Sequence, residues 1–438
     1  MRAAVVGGGL AGIAAALELA DRGIEVTLLE RSGQLGGLCR SVPDPIAGRV
    51  DTGQHVYLGC CTELEALLAR LGVSPALRQE RLELTLVDPA DPRPRHLSAL
   101  PLPAPLHLLP VLARWPGLPR AALAQVARVA ASLREGTAGL DPVPALSWLR
   151  GLGQAERLIS QLWEPFLVAA CNAPLDRCSA ELAAFVVREG LLSSARAGAL
   201  RVPGTDLTRW LDRPVTQALE RSGVELRLGS RVLSVGRGGA SPLQLTVGPS
   251  GTEPFDLAVL AVPSRSAHRL LLQGGGSNPA LEAAAALPDS PIVNVHLFTD
   301  RPFLPGPVTL VPRSRLQWVF DRSQLDDQPA DGSWHAAVSI SAAEREVGVP
   351  VAQLAAEIWA LCQATFPAAA RARLVHSRVT REAHATFWPE PGSAAARPGP
   401  GNAIPQVALA GSWTRTGWPA TMEGAVRSGR EAARHLLA

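Results

Sequence analysis

The first thirty residues carry two apolar runs separated by a helical repeat. Residues 3–6 are entirely apolar and residues 26–29 almost so, which is typical of parallel strands that are covered on both faces. Between the runs, residues 10–20 are rich in alanine and leucine and predict a helix. The order strand, helix, strand predicts the opening of a parallel α/β sheet.

The turn between the first strand and its helix has the spacing of a phosphate-binding loop. Gly7 permits the tight turn, Gly9 lets a pyrophosphate approach the backbone, and Gly12 lets the helix pack on the strand. The second strand ends on Glu30, 18 residues after Gly12, where a carboxylate can bind the hydroxyl groups of a ribose. The pattern predicts a dinucleotide site, but this motif alone does not separate NAD from FAD.

Strand and helix patterns return several times further along the chain. They predict, in chain order, an extended segment at 53–59, a helix at 63–72, helices between 147 and 191, a helix ending at Gly223, strands around Gly229, a meander and a buried strand within 243–263, strands at 291–298 and 316–323, and a helix at 351–366. The triplet Asn172-Ala173-Pro174 is expected to break the helical stretch.

The last thirty residues repeat the order of strand, turn and helix. Residues 407–410 predict a buried strand, and a helix opens near Thr421 and Met422. A helix start directs free N–H groups and the positive end of its dipole at a neighbouring acceptor. In a flavoprotein that acceptor is the pyrimidine end of the ring. We expect Gly424 and Gly429 to keep one face of this helix thin enough for the ring to approach.

The segment 97–119 is dense in proline and leucine. Prolines at this spacing permit only short helices or extended pieces. Two interpretations stay open for this segment. It is either an apolar surface that faces lipid, or a lid over an inserted helical domain.

Composition excludes several classes of protein. The chain has 438 residues and a formal charge of +3, and its 42 basic residues are all arginine and scattered, so nucleic-acid binding has little support. The six cysteines show no ligand spacing, which argues against structural zinc or a disulfide framework. No signal peptide and no apolar run of about 20 residues is found. We expect no metal and a cytoplasmic location, with peripheral contact at the inner face of the cytoplasmic membrane as an open alternative.

Four segments resemble known flavoproteins: ERSGQLGGLCRS at 30–41, DTGQHVYLG at 51–59, QWVFDR at 317–322 and GSWTRTGWPATMEGAVRSG at 411–429. The first resembles the flavin amine oxidase and phytoene desaturase superfamily, in which a Gly-Gly pair follows the acid. The other three resemble the squalene-associated FAD-dependent desaturase family, the hydroxysqualene dehydroxylases. The resemblance covers essentially the whole chain.

This resemblance implies an α/β fold, in which a Rossmann-like FAD-binding domain similar to that of glutathione reductase carries an inserted α+β substrate domain rich in helices. The FAD-binding domain would be split over residues 1–75, 203–285 and 375–438. The substrate domain, with its helical and apolar part, would occupy residues 76–202 and 286–374. The linear order of motifs would then be the order in which the chain visits the FAD domain.

The resemblance also implies that FAD is held without a covalent bond. Val232 would contact adenine through its backbone, and Ser412 stands where an acid is common in the superfamily, which puts a ribityl-binding carboxylate in doubt. The expected FAD contacts are Gly7, Gly9, Leu10, Ala11, Gly12, Glu30, Arg31, Gly36, Gly37, Leu38, Gly53, Gln54, His55, Val232, Gly411, Ser412, Thr421, Met422, Glu423 and Ala425.

The family activity implied is the reductive removal of an allylic hydroxyl from hydroxysqualene, which gives squalene for hopanoid synthesis. A proton donor must help the C–O bond to ionise, and reduced flavin N5 would deliver hydride to the allylic cation. The candidate donors are His55, Tyr57 and Asp321, and an Asp321–Arg322 ion pair is the structural alternative for the last. Trp318 and Trp418 are expected at the substrate.

Three other functions stay open. Desaturation or isomerisation of a carotenoid shares the fold, the cofactor and an apolar tunnel. Amine oxidation is disfavoured, because superfamily amine oxidases generally carry a lysine near N5 and this sequence has none. A non-catalytic, flavin-bearing partner in a terpenoid complex is the third. The expected partners are an apolar isoprenoid, a membrane surface under the lipid-facing interpretation, and an electron donor that the sequence does not identify.

Overall fold

The structure is a computed structural model of the chain. It describes residues 1–118, 121–237, 242–276, 278–326, 333–402 and 404–438. Pro119, the last residue of the proline- and leucine-rich segment, lies outside the described residues.

The described residues form strands and α-helices in the following chain order. The strands are β1 Arg2–Val6, β2 Glu25–Leu29, β3 Ser41–Asp44, β4 Gly48–Asp51, β5 Tyr57–Leu58, β6 Pro75–Arg78, β7 Glu83–Asp88, β8 Asp91–Ser98, β9 Leu200–Pro203, β10 Glu225–Arg227, β11 Val232–Arg237, β12 Leu243–Val247, β13 Gly251–Phe255, β14 Leu257–Leu260, β15 Asp289–Thr299, β16 Val308–Val311, β17 Gln317–Asp321, β18 Trp334–Ile340, β19 Leu374–Phe387 and β20 Val407–Leu409. The α-helices are α1 Leu10–Ala20, α2 Thr62–Leu71, α3 Leu109–Arg114, α4 Ala122–Glu135, α5 Ala145–Gly151, α6 Glu156–Leu158, α7 Glu164–Cys171, α8 Ala180–Val186, α9 Leu207–Arg221, α10 Ser264–Gln273, α11 Pro279–Ala286, α12 Arg322–Leu325, α13 Val351–Thr365 and α14 Met422–Leu437.

A five-stranded parallel sheet gathers strands from both ends and the middle of the chain. Its order is β10-β2-β1-β14-β20, and every neighbouring pair is parallel. The central strands are fully covered, because α1, α2, α9 and α14 pack on one face and the β11–β13 meander with α10 and α11 packs on the other. The predicted Rossmann-like α/β sheet is confirmed. The division into the two domains stays a prediction.

Gly429 serves helix packing in this sheet layer. A Cβ placed on Gly429 would lie 2.1 Å from the carbonyl oxygen of Ala11, so the glycine lets α14 lie close against α1. The expectation that Gly429 makes room for a flavin ring is therefore wrong. Its small size is required by the neighbouring helix.

A second sheet has seven strands, in the order β19-β15-β18-β17-β16-β7-β8. Successive side chains along each strand point to opposite sides of this sheet, so the sheet has two faces. One face packs on α13 through Val295, Val319 and Val338. The other face, with Trp318 and Phe320, packs on the helices between α3 and the segment 187–192. This second face and its helical layer together form one packed apolar core.

The helical layer is less regular than its sequence suggests. It contains two π-helical segments, Ile159–Trp163 and Val187–Leu192, and such segments are frequent near functional sites. The predicted break is confirmed at Asn172, which has a left-handed φ of 54° and ends α7. Its side chain bonds to Ser290, Thr386 and Ala342, so the break ties the helices to the seven-stranded sheet.

A buried histidine pair joins the seven-stranded sheet to the end of β4. His296 Nε2 lies 3.0 Å from the carbonyl oxygen of Asp51, and His296 Nδ1 lies 3.0 Å from His335 Nε2. A carbonyl can only accept, so Nε2 carries the proton and Nδ1 accepts from His335. Burial lowers the pKa of His296 to about 4 and that of His335 well below its usual value. Both rings are therefore neutral at neutral pH.

This arrangement predicts a loss of stability in acid. The unfolded chain protonates His296 near its ordinary pKa, whereas the folded chain resists protonation down to about pH 4. The neutral ring thus makes its full contribution to the free energy of unfolding above about pH 6.5. This contribution falls by on the order of 3 kcal/mol as the pH decreases towards 4. Chemical denaturation at several pH values measures the free energy of unfolding. We expect this free energy to decrease less between neutral and acid pH in His296→Gln than in the wild type. An unchanged acid slope would contradict this, and the exposed His96→Gln is the control.

Candidate FAD and substrate site

The glycine loop packs against a second glycine turn through backbone atoms. Gly7 has a φ of +108°, and a Cβ on Gly12 would lie 1.9 Å from the Gly7 oxygen. Gly36 N donates to the Gly8 oxygen at 2.9 Å, and a Cβ on Gly37 would lie 3.1 Å from Gly9 Cα. The two glycine turns, distant in sequence by some thirty residues, therefore meet, and side chains at these positions would clash with the backbone of the other turn or of the loop itself. This cradle fits the diphosphate of FAD.

Glu30 closes the adenine side of this cradle. Its carboxylate is almost buried and accepts from Gly8 N at 2.7 Å and from Ser32 N at 2.8 Å. Each carboxylate oxygen keeps a second lone pair, so ribose hydroxyls can still donate to it. Arg31 and Leu38 are exposed nearby. Val232 lies on a groove of about 420 Å³ that Arg231, Ser234 and Arg269 also line.

The segment after β4 is held against the seven-stranded sheet by Asn294. Asn294 is fully buried in β15; its Oδ1 accepts from Gln54 N at 3.0 Å, and its Nδ2 donates to the Thr52 oxygen at 3.3 Å. A Cβ on Gly53 would lie 3.7 Å from Asn294 and from the His55 ring. The predicted ring-side residues Gly53, Gln54 and His55 are thus fixed together and half-buried.

His55 is half-buried at this segment, and its ring contacts other polar groups. Its Nδ1 lies 2.9 Å from the Gly53 oxygen. Burial opposes charge on the ring, but interactions with Cys39, with that carbonyl and with Asp51 outweigh it and raise the pKa of His55 to about 9. His55 therefore carries a proton at neutral pH, as a general acid requires.

The other two candidate donors are placed differently. Tyr57 packs into the core that contains the buried side chains of α2, whereas Val56 contacts the helical layer and Leu58 contacts both. Burial raises the pKa of Tyr57 to about 12. Asp321 accepts from Gln324 N and Nε2 and so caps α12. Arg322 pairs with Asp326, so the alternative of an Asp321–Arg322 ion pair is wrong.

The start of α14 offers unpaired donors. Thr421 is the N-cap, and its Oγ1 accepts from Gly424 N. Among the described residues, no acceptor is found for the N–H groups of Met422 and Glu423. Thr421, Met422 and Ala425 are half-buried, as are Gly411 and Ser412 in the preceding turn. Two free N–H groups at the positive end of a 16-residue helix fit an acceptor such as the flavin pyrimidine.

The Glu423 side chain points away from this end. Its carboxylate is fully buried, accepts from Glu63 N and Leu64 N at the start of α2, and pairs with Arg427 at 2.7 Å. Only the backbone of Glu423 is left for a cofactor. The carboxylate instead fixes α2 relative to α14.

Arg397 organises the turn before α14, and sequence reasoning missed it. Its guanidinium is buried and donates to the carbonyl oxygens of Ser412, Trp413, Thr414 and Trp418. Burial lowers its pKa to about 10, so it remains charged at neutral pH. No pattern signals this role, because the residue sits in an irregular segment before a proline. Asn294 was also missed, although a lone amide inside an apolar strand was a visible signal.

Aromatic side chains lie at this turn and in the neighbouring helical layer. Trp418 is half-buried, packs edge-to-face on Phe185 at 5.1 Å and lies under Arg427. Trp318 packs on Phe166 at 5.6 Å and donates to the Pro165 oxygen at 3.2 Å, so it mainly joins the sheet to α7. Further half-buried apolar side chains adjoin the helical core: Val56, Leu58, Phe166, Leu182, Leu192 and Ala342.

A family model described as flavin containing amine oxidoreductase matches residues 10–437. The chain belongs to this family of flavin oxidoreductases. As a member it is an FAD-dependent oxidoreductase, and FAD is its cofactor, as the sequence predicted. The residues above fit that cofactor. The individual FAD contacts and the catalytic and substrate residues stay predictions.

Curated relatives of this oxidoreductase cover it from end to end. A hydroxysqualene dehydroxylase of Rhodopseudomonas palustris is 31% identical over 99% of this chain and 98% of the relative. A hydroxysqualene dehydroxylase of Sinorhizobium fredii is 28% identical over 98% of this chain and 96% of the relative. The resemblance to the hydroxysqualene dehydroxylases is therefore confirmed.

More distant proteins share the fold of this oxidoreductase. A 15-cis-phytoene desaturase of Solanum lycopersicum is 23% identical over 99% of this chain and 77% of the relative. The structure of a putrescine oxidase superposes on this chain with a TM-score of 0.74 at 16% sequence identity. The superposition covers 100% of this chain and 99% of the putrescine oxidase chain. At that identity the superposition shows a common fold.

The Arg397 contacts predict that FAD retention depends on this residue. In Arg397→Met the four carbonyl oxygens lose their donor, and we expect the free energy of unfolding to fall by about 3 kcal/mol. Flavin should be released earlier in a thermal ramp followed by flavin fluorescence. Arg415→Met is the matched control, because Arg415 is exposed in the same turn. Equal release temperatures for the two variants would refute the role.

Proposed function

We propose that the protein removes the hydroxyl group of hydroxysqualene reductively and forms squalene. The observation that carries the proposal is the full-length likeness to hydroxysqualene dehydroxylases, at 31% identity for the relative from R. palustris. The aromatic and apolar walls described above support it, because they suit a long hydrocarbon substrate. The same reaction would place the enzyme in squalene and hopanoid biosynthesis.

Binding of such a substrate needs little polar recognition. A squalene-sized chain gains about 0.8 kcal/mol for each buried CH₂ group. Half-buried residues of the helical layer, with Trp418 and Phe185, offer that apolar surface. Exclusion of water by these walls would also protect a carbocation from hydrolysis.

We assign the proton donor to His55. Loss of an allylic hydroxyl as water requires a proton at the leaving oxygen, and hydride supplied by reduced FAD completes the reduction when the cofactor is bound. His55 is protonated at neutral pH and is fixed beside Gly53. Tyr57 and Asp321 are engaged in the core and in a helix cap. Asn294 would hold the His55 segment in place, and the start of α14 would stabilise negative charge at the opposite end.

Carotenoid desaturation or isomerisation is the second candidate. The relatives include 15-cis-phytoene desaturases and zeta-carotene desaturases at 22–24% identity. Such a reaction would use the same apolar walls with electrons flowing towards the flavin. A non-catalytic, flavin-bearing partner is the third, and amine oxidation is disfavoured by the absence of lysine from the sequence.

We further propose a cytoplasmic enzyme that works at the inner face of the cytoplasmic membrane and receives electrons from a separate donor. No described helix has the length and apolar character needed to cross a bilayer. The sequence contains no second nucleotide motif for a pyridine nucleotide.

The deciding experiment is anaerobic single turnover. Dithionite-reduced holoenzyme is mixed with hydroxysqualene, and oxidised holoenzyme is mixed separately with phytoene. We expect reoxidation of the flavin with stoichiometric squalene in the first mixture and no bleaching in the second. Bleaching by phytoene alone would establish desaturation, and no reaction in either mixture would favour the non-catalytic partner.

The assignment of His55 predicts a pH profile as well as a rate. His55→Gln should slow single-turnover dehydroxylation at least about a hundredfold while FAD remains bound. The wild-type rate should fall as the pH rises through about 9, where the ring loses its proton. Cys39→Ser removes an interaction that favours the charged ring, so this basic limb should move to lower pH. An unchanged basic limb in Cys39→Ser would show that the Cys39–His55 interaction does not determine the pH at which the rate falls.

A further inference from the structure

We propose that residues 100–106, the leucine loop, form a docking surface for an anionic lipid bilayer. The inference rests on the proposed function, because an isoprenoid of this size must be collected from a membrane. Three observations carry it: exposed leucines on a fixed loop, an excess of arginine in the stretch of sequence that contains the loop, and a direct connection from the loop to the helical layer.

The leucine loop exposes apolar side chains without pairing them. Leu100, Leu102 and Leu106 are 42%, 40% and 49% exposed. Pro101 and Pro103 between them are exposed as well. Isolated exposed leucines are ordinary on a protein surface, but three within seven residues, separated by prolines, form a local apolar protrusion.

The loop is fixed in this exposed form. Leu100 N donates to the His107 oxygen at 2.9 Å, which closes the loop at its base. The His107 ring is buried and its Nε2 lies 2.9 Å from the Leu191 carbonyl oxygen. Burial lowers the pKa of His107, so the ring is neutral and donates to that oxygen. The leucines are therefore held outward, and the ordering that membrane contact requires is already present.

Arginine outnumbers acidic residues in the stretch of sequence that contains the loop. Residues 92–134 contain six arginines and no aspartate or glutamate. Arg93 and Arg95 pair with Asp91, just outside this range. Arg114, at the end of α3, is exposed and has no ion-pair partner among the described residues. Apolar side chains flanked by excess positive charge are typical of surfaces that lie in the interface of bilayers with anionic lipids.

The leucine loop also adjoins the helices of the apolar helical core. Leu191 belongs to the π-helical segment 187–192, and Leu108, next to the loop, belongs to the same core cluster as Trp318. A bilayer bound at the loop would thus lie against the helical layer, and an isoprenoid would pass from lipid to the interior without crossing water.

A bilayer fits this surface better than a protein does. A partner helix or strand would need a groove or a free sheet edge, whereas the loop is a proline-broken protrusion. A second copy of the chain would bring the same excess of positive charge together and so repel. We therefore commit to lipid, and treat self-association as an outcome of the test.

Vesicle binding of the full-length holoenzyme tests the proposal. Sedimentation with vesicles of phosphatidylcholine alone is compared with vesicles that also contain phosphatidylglycerol, at low and high salt. We expect binding to the anionic vesicles that weakens with salt. Leu100→Ser, Leu102→Ser and Leu106→Ser combined should reduce partitioning at least about tenfold, and Arg114→Gln should reduce binding only to the anionic vesicles.

The matched control replaces three exposed apolar residues elsewhere, Leu272, Val351 and Val375, by serine. Equal loss in the control and loop variants, or no vesicle binding by wild type, would overturn the proposal. A wild-type dimer that the loop variant breaks would assign the surface to self-association instead. Turnover of substrate in detergent micelles should be the same for wild type and loop variant, so failure of the proposed reaction would be seen separately from failure of docking.

Discussion

The rest of the site depends on two hydrogen bonds made by one buried amide. Asn294 belongs to the seven-stranded sheet, yet it bonds to the backbone of Thr52 and Gln54 about 240 positions earlier. A buried amide that pairs both ways with a main chain fixes register as well as distance. Through this contact the seven-stranded sheet and the segment after β4 are held together as one unit. His296, two residues further on the same face, repeats the attachment at Asp51.

Buried charges act in the same way elsewhere in the molecule. Arg397 holds a turn by four carbonyl oxygens, and Glu423 holds the start of α2 by two amide N–H groups. Removing either side chain would leave several buried backbone groups without a partner, which is costly. Arg397 gives the irregular turn before α14 a single conformation, and Glu423 fixes the start of α2 relative to α14. That turn leads into the helix start whose free N–H groups fit the cofactor.

The sequence predicted the parts of this design that follow from local rules. The glycine turn, the acid after β2 and the free helix start at Thr421 each depend on spacing within a short segment, and the structure has them in the predicted elements. The sequence could not predict which residues far apart in the chain are in contact in the folded protein. Glu423 was expected at the cofactor, but its side chain caps a helix some 360 residues away in sequence. Asp321 was expected to act as an acid. The polar residues that follow it in the sequence are equally consistent with a helix N-cap, which is the role it has at α12.

The order of strands in the parallel sheet has a consequence for synthesis of the protein. The sheet takes β1 and β2 first, β10 and β14 more than 190 residues later, and β20 only at Val407–Leu409. A ribosome therefore releases the apolar helical layer long before the parallel sheet is complete. During that interval the nascent chain exposes a surface that is prone to aggregation. Chaperone supply and flavin availability at the end of translation, more than the final stability, should then determine how much active protein a cell accumulates.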